Sequence, residues 1–155
     1  MSNVDIRLAT EGDLKDILDL LGEIDKYYGD EMTESPEERE RQTREILSGS
    51  EFKSARILIA FNMSNDAIGF ASFSALWPAA GSSSSLYLKE LYVRENHRTL
   101  GAGKALVQHL LKIATEQGYS RVEWTTDRSN GGAQKFYDKL GATVNTGKLF
   151  YRVEV

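Results

Sequence analysis

The chain has 155 residues, enough for one domain with a real core, and its 41% hydrophobic and 27% charged residues are ordinary globular composition. It has no cysteine, which excludes disulfides, thiolate metal sites and a cysteine nucleophile. No apolar run approaches the roughly 18–20 residues that span a bilayer, residues 1–5 lack the basic-then-apolar pattern of a signal peptide, and the net charge of −4 disfavours a phosphate backbone as partner. The expectation is a cytoplasmic protein with no membrane and no nucleic-acid partner.

Residues 4–9 alternate apolar and polar and predict a first strand. Thr10 offers an N-cap with Asp13 completing a capping box, and Leu14, Ile17, Leu18, Leu21, Ile24 and Tyr28 follow at helical spacing up to Gly29. Ser35-Pro36-Glu37-Glu38 opens a second helix running to about Leu47. Residues 56–61 and 67–77, separated by Asn65-Asp66, read as a β-hairpin, and 86–93 as the next strand. The clearest helix covers 101–117, with apolar rows Leu106, Leu110, Ile113 and Val107, Leu111, Ala114, closed by Gly118. Residues 121–126 predict another strand, 131–140 a short helix capped by Asn130 and ended by Gly141, and 143–155 a final strand pair turning at Asn145-Thr146-Gly147. The order is βααβββαβαββ. With no repeat and no linker, it predicts one α/β domain over 1–155, a mixed sheet flanked by helices.

Acidity is concentrated between positions 23 and 45, where nine acidic residues oppose four basic ones, a local charge of −5. Such a field favours a cationic ligand; a solvated helical face accounts for the same residues. His97 and His109 have no ligand-like spacing, so no metal site is expected.

The run Arg98-Thr99-Leu100-Gly101-Ala102-Gly103-Lys104 lies between a strand and the strongest helix. Its glycines allow close backbone approach, and the first N–H groups of the helix, with its dipole, form a site for a pyrophosphate. A dinucleotide fingerprint would need a third glycine where Leu106 stands. A P-loop would need glycine at Arg98 and Ser or Thr at Ala105. The remaining pattern, Arg-x-x-Gly-x-Gly, resembles the acyl-CoA signature of the GNAT acetyltransferase superfamily; a glycine-containing helix entry without ligand is the other reading. The run from Asn130 to Ala142, with Ala133, Phe136, Tyr137 and Gly141, is similar to the family's second signature, Ala142 replacing the usual aromatic residue. In residue classes, 86–103 is most similar to diamine acetyltransferases, except that Lys89 stands where these tend to carry a carboxylate.

The resemblance implies direct attack of an amine on the thioester of acetyl-CoA, the cosubstrate, without an acyl-enzyme. It assigns Tyr137 as proton donor to the CoA sulfur, the residues from Arg98 to Lys104 and Asn130 to the cofactor, and the backbones of Leu91, Tyr92 and Val93 to the pantetheine. Tyr137 packing on Phe136 in an amphipathic helix is the plainer alternative. Glu90, beside the expected thioester, is the candidate base, against a salt-bridged surface glutamate or a water chain. Tyr27, Tyr28, Asp30, Glu31 and Trp77 are candidates for the acceptor wall, although sheet-face packing equally explains Trp77 and Trp124. The expected function is acetyl transfer to a primary amine, with a small cationic amine as partner. A protein or peptide N-acetyltransferase, and an acyl-CoA sensor without turnover, stay open. Homodimers are frequent among proteins of this resemblance, and nothing in the sequence decides the oligomeric state.

Overall fold

Five strands form one sheet in the order β1-β2-β3-β4-β5, with β1 (Asp5–Leu8), β2 (Arg56–Phe61), β3 (Ala67–Leu76) and β4 (Ser85–Val93) antiparallel and β5 (Arg121–Glu123) parallel to β4. The structure is a computed structural model and describes residues 3–29, 34–49 and 54–155. The helices are α1 (Leu14–Tyr28), α2 (Pro36–Leu47), α3 (Ala102–Glu116) and α4 (Gly131–Lys139). The chain divides into two compact units, Met1–Trp124 and Thr125–Val155.

In the first unit the caps form as their residue types dictate. The Thr10 N–H donates to Asp13 Oδ2 at 2.8 Å, and Arg7 grips both Asp13 oxygens at 2.7 and 2.8 Å. Burial opposes the charge, but the Arg7 hydrogen bond outweighs it and holds the Asp13 carboxyl below its ordinary range. Ser35 Oγ accepts the Glu38 N–H at 3.1 Å with Pro36 at the first helical position, and α2 follows. The β2–β3 hairpin turns where expected: Asn65 takes φ 64°, and Asn62 Oδ1 accepts the N–H groups of Ser64 and Asp66 at 3.0 and 2.9 Å.

The helices cover both sheet faces. Ile17, Leu20 and Ile24 of α1 pack with Ile57, Ile59, Phe61, Phe70 and Tyr92. The expected stripe of α1 is shifted toward Leu20, and Tyr28 is exposed. The alternate residues Leu58, Ala71 and Phe73, also buried, turn to the other face. There α3, which packs on β2, β3 and β4, buries Ala102, Leu106, Val107, Leu110 and Ala114; Leu111, expected in its core face, is exposed. As the crossover between β4 and β5, α3 makes their parallel pairing possible. Gly69 lets β3 and β4 approach: a Cβ there would lie 2.5 Å from the Tyr92 carbonyl oxygen.

In the second unit, Asn130 Oδ1 accepts the Ala133 N–H at 3.0 Å and caps α4, which ends at Gly141 with φ 85°. The expected strand pair over 143–155 is not formed; these residues contain no helix or strand. The turn itself is present, since the Gly147 N–H donates to Asn145 Oδ1 at 3.0 Å. Alternation and a turn supply local preference, but a ladder needs a paired edge as well.

Candidate active site

Two features of β4 build the site. The first is its loss of pairing. β5 pairs β4 only at Ser85, Leu86 and Tyr87, so from Leu88 to Val93 β4 has a strand on the β3 edge alone, among the described residues. Leu91, Tyr92 and Val93 lie in this stretch. The second is a bulge: Ser72 faces Glu90 while Phe73 faces Leu88, which leaves Lys89 without a partner. Leu88 thereby shares the α3 face with Phe73, whereas Glu90 shares the opposite face with Ser72, Phe70 and Tyr92. In a regular strand without the bulge, Leu88 and Glu90, two residues apart, would point to the same side.

Glu90 lines a cavity of about 370 Å³ in the first unit. Ile17, Leu21 and Ile24 of α1, Ile46 of α2, Ile57 of β2 and Phe70 of β3 give it apolar walls. Its polar groups, besides Glu90, are Glu34, Arg39, Gln42, Thr43 and Ser72. The Arg39 guanidinium is largely buried and held by Asp25 and Glu34, both at 2.7 Å. The inner face of α2 (Arg39, Gln42, Thr43 and Ile46) was not singled out from the sequence. Its signal is the spacing of three to four residues, hidden because the face mixes polar with apolar side chains.

At the end of β4, Val93 leads through Arg94 into a 3₁₀ helix, Glu95–Leu100, then α3. Gly101 takes φ 81°, a left-handed conformation that suits glycine, and serves as N-cap without a side chain. No side chain caps α3, in contrast to α2 and α4, and its first turn contains no acidic residue. The intrahelical ladder starts with the Ala105 N–H bonded to the Gly101 carbonyl at 2.9 Å. The N–H groups of Ala102, Gly103 and Lys104 precede it, a concentration of donors and dipole suited to phosphate oxygens.

Arg98 is clamped. Its Nε donates to the Val93 carbonyl at 2.8 Å, and its guanidinium lies 5.0 Å from the Tyr27 ring centre and 5.6 Å from that of Tyr92. The Val93 carbonyl, one of the groups expected to pair with pantetheine, thus already accepts a bond. Tyr27, Tyr92, Arg94, His97 and Arg98 line a second cavity of about 620 Å³, where Arg94 Nε meets Glu23 at 2.9 Å. Burial, followed by the charge of Glu23, raises the Tyr92 phenol above its ordinary value, so it remains a protonated donor. His97 Nδ1 is buried without a hydrogen-bond partner among the described residues.

The acceptor-wall candidates do not come together. Tyr27 lines the second cavity, while Tyr28, stacked edge-on against Tyr27 at 5.1 Å, lines neither. Trp77 lies beyond β3, 71% exposed, its indole N–H bonded to the Ser82 carbonyl at 3.0 Å. Asp30 and Glu31 fall outside the described residues. Many carboxylates of the acidic segment are held in ion pairs: Glu38 and Glu45 pair with Arg41, Glu40 with Arg44, Asp25 and Glu34 with Arg39, and Glu23 with Arg94. Arg41, then Gln42, hold the Glu38 carboxyl down at about 2. Most of α2 therefore presents a solvated, ion-paired face. In the second unit, Tyr137 lies on α4 with its ring 5.3 Å from Phe136, and the Oδ1 of Asn130 is committed to the cap.

The sequence profile described as the acetyltransferase (GNAT) family matches residues 20–142. This chain belongs to that family. GNAT acetyltransferases take acetyl-CoA as acetyl donor. The chain is 34% identical over 82 residues to the L-ornithine N5-acetyltransferase NATA1 of Arabidopsis thaliana, a match covering 52% of this chain and 36% of that protein. It is likewise 34% identical over 87 residues to the D-amino-acid N-acetyltransferase HPA3 of Saccharomyces cerevisiae, covering 56% of this chain and 53% of that one. The matches thus span between a third and about half of these curated relatives. Among solved structures, an integron cassette protein from the mobile metagenome of V. cholerae superposes with a TM-score of 0.83 at 28% identity, covering 100% of this chain and 94% of that one. The GNAT fold, a mixed five-stranded sheet flanked by helices, is thereby shown.

Proposed function

We propose that this chain transfers the acetyl group of acetyl-CoA to a primary amine, a small cationic amine, by direct attack in a ternary complex. The observation that carries the reading is the course of β4. One strand presents Glu90 to a cavity, continues as a half-paired edge through Leu91, Tyr92 and Val93, and delivers the chain to the uncapped start of α3. An extended amide-bearing ligand fits a half-paired strand edge as an added strand would, and its pyrophosphate fits the N–H groups from Ala102 to Lys104.

The amine arrives as an ammonium and must lose a proton before its lone pair can attack. Glu90 accepts that proton, directly or through one water. The new C–N bond forms as the C–S bond breaks, the thiolate takes a proton from the Tyr137 hydroxyl, and the second proton of the nitrogen, shed as the amide forms, passes through water to restore the phenol, while Glu90 returns its proton to solvent. A phenol with an ordinary pKa of about 10 is protonated at neutral pH and suits that role. The Tyr137 assignment rests on the signature motif that contains it. The apolar walls that α1, α2 and the sheet give the cavity support a small acceptor over a polypeptide.

Titration calorimetry with acetyl-CoA, followed by free-thiol release across a panel of amines, tests the proposal. Micromolar binding with amine-dependent thiol release is expected. No binding would remove the reading of residues 98–104, and binding without release on any amine would leave only an acyl-CoA sensor.

A further inference from the structure

Resting on the acetyl-transfer reading, we infer that Tyr27 is a positioning residue of the acetyl-CoA phosphate site, acting through Arg98, and not a part of the acceptor wall. Tyr27 lines the second cavity and not the Glu90 cavity. From the last turn of α1 its ring lies 5.0 Å from the Arg98 guanidinium, which also lies 5.6 Å from the ring of the buried Tyr92. Both distances fall within the reach of about 6 Å of a cation–π contact. Arg98 is itself exposed, and its bond to the Val93 carbonyl joins residues only five apart. An exposed arginine held by one hydrogen bond exchanges it readily for water, whereas two aromatic faces restrict its rotamers and keep Nε on the carbonyl. One helical turn before Tyr27, Glu23 holds Arg94 at 2.9 Å, with both side chains partly buried. Glu23 and Tyr27 are neighbours on one face of α1, so that face grips the segment 94–98 at both of its ends. Two residues further on, Gly101 opens α3 and the N–H groups of Ala102, Gly103 and Lys104 follow. Fixing Arg98 sets where that donor cluster begins, and a phosphate then meets it already ordered. It is the ring of Tyr27 that the guanidinium meets, so phenylalanine would serve as well.

The test is calorimetric titration with acetyl-CoA of the parent protein, Tyr27→Leu, Tyr27→Phe, Arg98→Met and the double variant Tyr27→Leu with Arg98→Met. Tyr27→Leu should weaken binding about 2- to 5-fold, the worth of a cation–π contact at an exposed site. Tyr27→Phe should bind like the parent, and a loss that phenylalanine restores is not a loss of folding. In the Arg98→Met background, Tyr27→Leu should cost nothing further, because the contact it removes is already gone. Parent-like affinity in Tyr27→Leu, an equal loss in the leucine and phenylalanine variants, or additive losses in the double variant would each overturn the inference while leaving the phosphate site in place. A parent protein that binds no acetyl-CoA would overturn the reading of residues 98–104 and this inference together.

Discussion

Ser72 and Glu90 stand opposite each other across β3 and β4, one step before the register slips past Lys89. The slip decides which side of the sheet receives the carboxylate. A glutamate on a regular continuation from Leu88 would share the α3 side; here it lies on the floor of an apolar-walled cavity.

If Glu90 is the base, Glu90→Gln keeps volume and polarity but cannot take a proton. We expect kcat to fall about 10²- to 10³-fold, the scale of general-base catalysis. Acetyl-CoA affinity measured by calorimetry should be retained. Full activity in the variant would leave a water chain as the acceptor of the proton.

Gly101→Ala places a side chain at φ 81°. The left-handed region costs a non-glycine residue about 1–2 kcal/mol, and here relaxation would displace the first turn of α3. Acetyl-CoA binding is expected to weaken about tenfold, measured by titration with the isolated protein.

Gly69→Ala tests the approach of β3 and β4. Its Cβ would meet the Tyr92 carbonyl oxygen at 2.5 Å, a backbone atom that cannot rotate away. Overpacking of this kind costs about 1–3 kcal/mol and should lower the midpoint of thermal unfolding by about 3–10 °C. The strand end that moves contains Tyr92 and Val93, so acetyl-CoA affinity should fall with it.

Asp13 gives the fold an acid limit. Its folded-state pKa is held below the unfolded value, chiefly by the Arg7 hydrogen bond. Its contribution is therefore complete above the unfolded pKa of about 3.9 and is lost as pH falls through the lower folded value. Asp13→Ala should cost about 2 kcal/mol at pH 7, since the Arg7 pair and the Thr10 N–H bond vanish together. In urea unfolding curves the gap between variant and parent should be narrower at pH 3 than at pH 7.

Elements that state their own boundaries were legible in the sequence. Ser35 and Pro36 announce α2, Gly118 and Gly141 close α3 and α4 with positive φ, and β2 spans the expected 56–61. The same holds for the glycine-containing entry to α3, a local feature. What escaped is relational. The acidity between 23 and 45 suggested an open field, yet Arg41 and Arg44 hold Glu38, Glu45 and Glu40 in ion pairs three or four residues away. The contact of Arg98 with Tyr27 joins residues far apart in the chain, and no local pattern announces it. The cavity wall on α2 has no apolar stripe to announce it, and the alternation over 143–155 carried no information about a partner edge.

Lys89 has a consequence for how this strand tolerates change in length. Removing one residue from the middle of a strand ordinarily turns everything beyond the cut inside out, exchanging buried for exposed along its whole remainder. Deleting Lys89 would not, because Leu88 and Glu90 already face opposite sides. The shortened strand would keep every side chain on its present face and lose only the bend. This position therefore offers a way to separate two contributions that point substitutions leave entangled, the direction of the carboxylate and the curvature of the edge beside it.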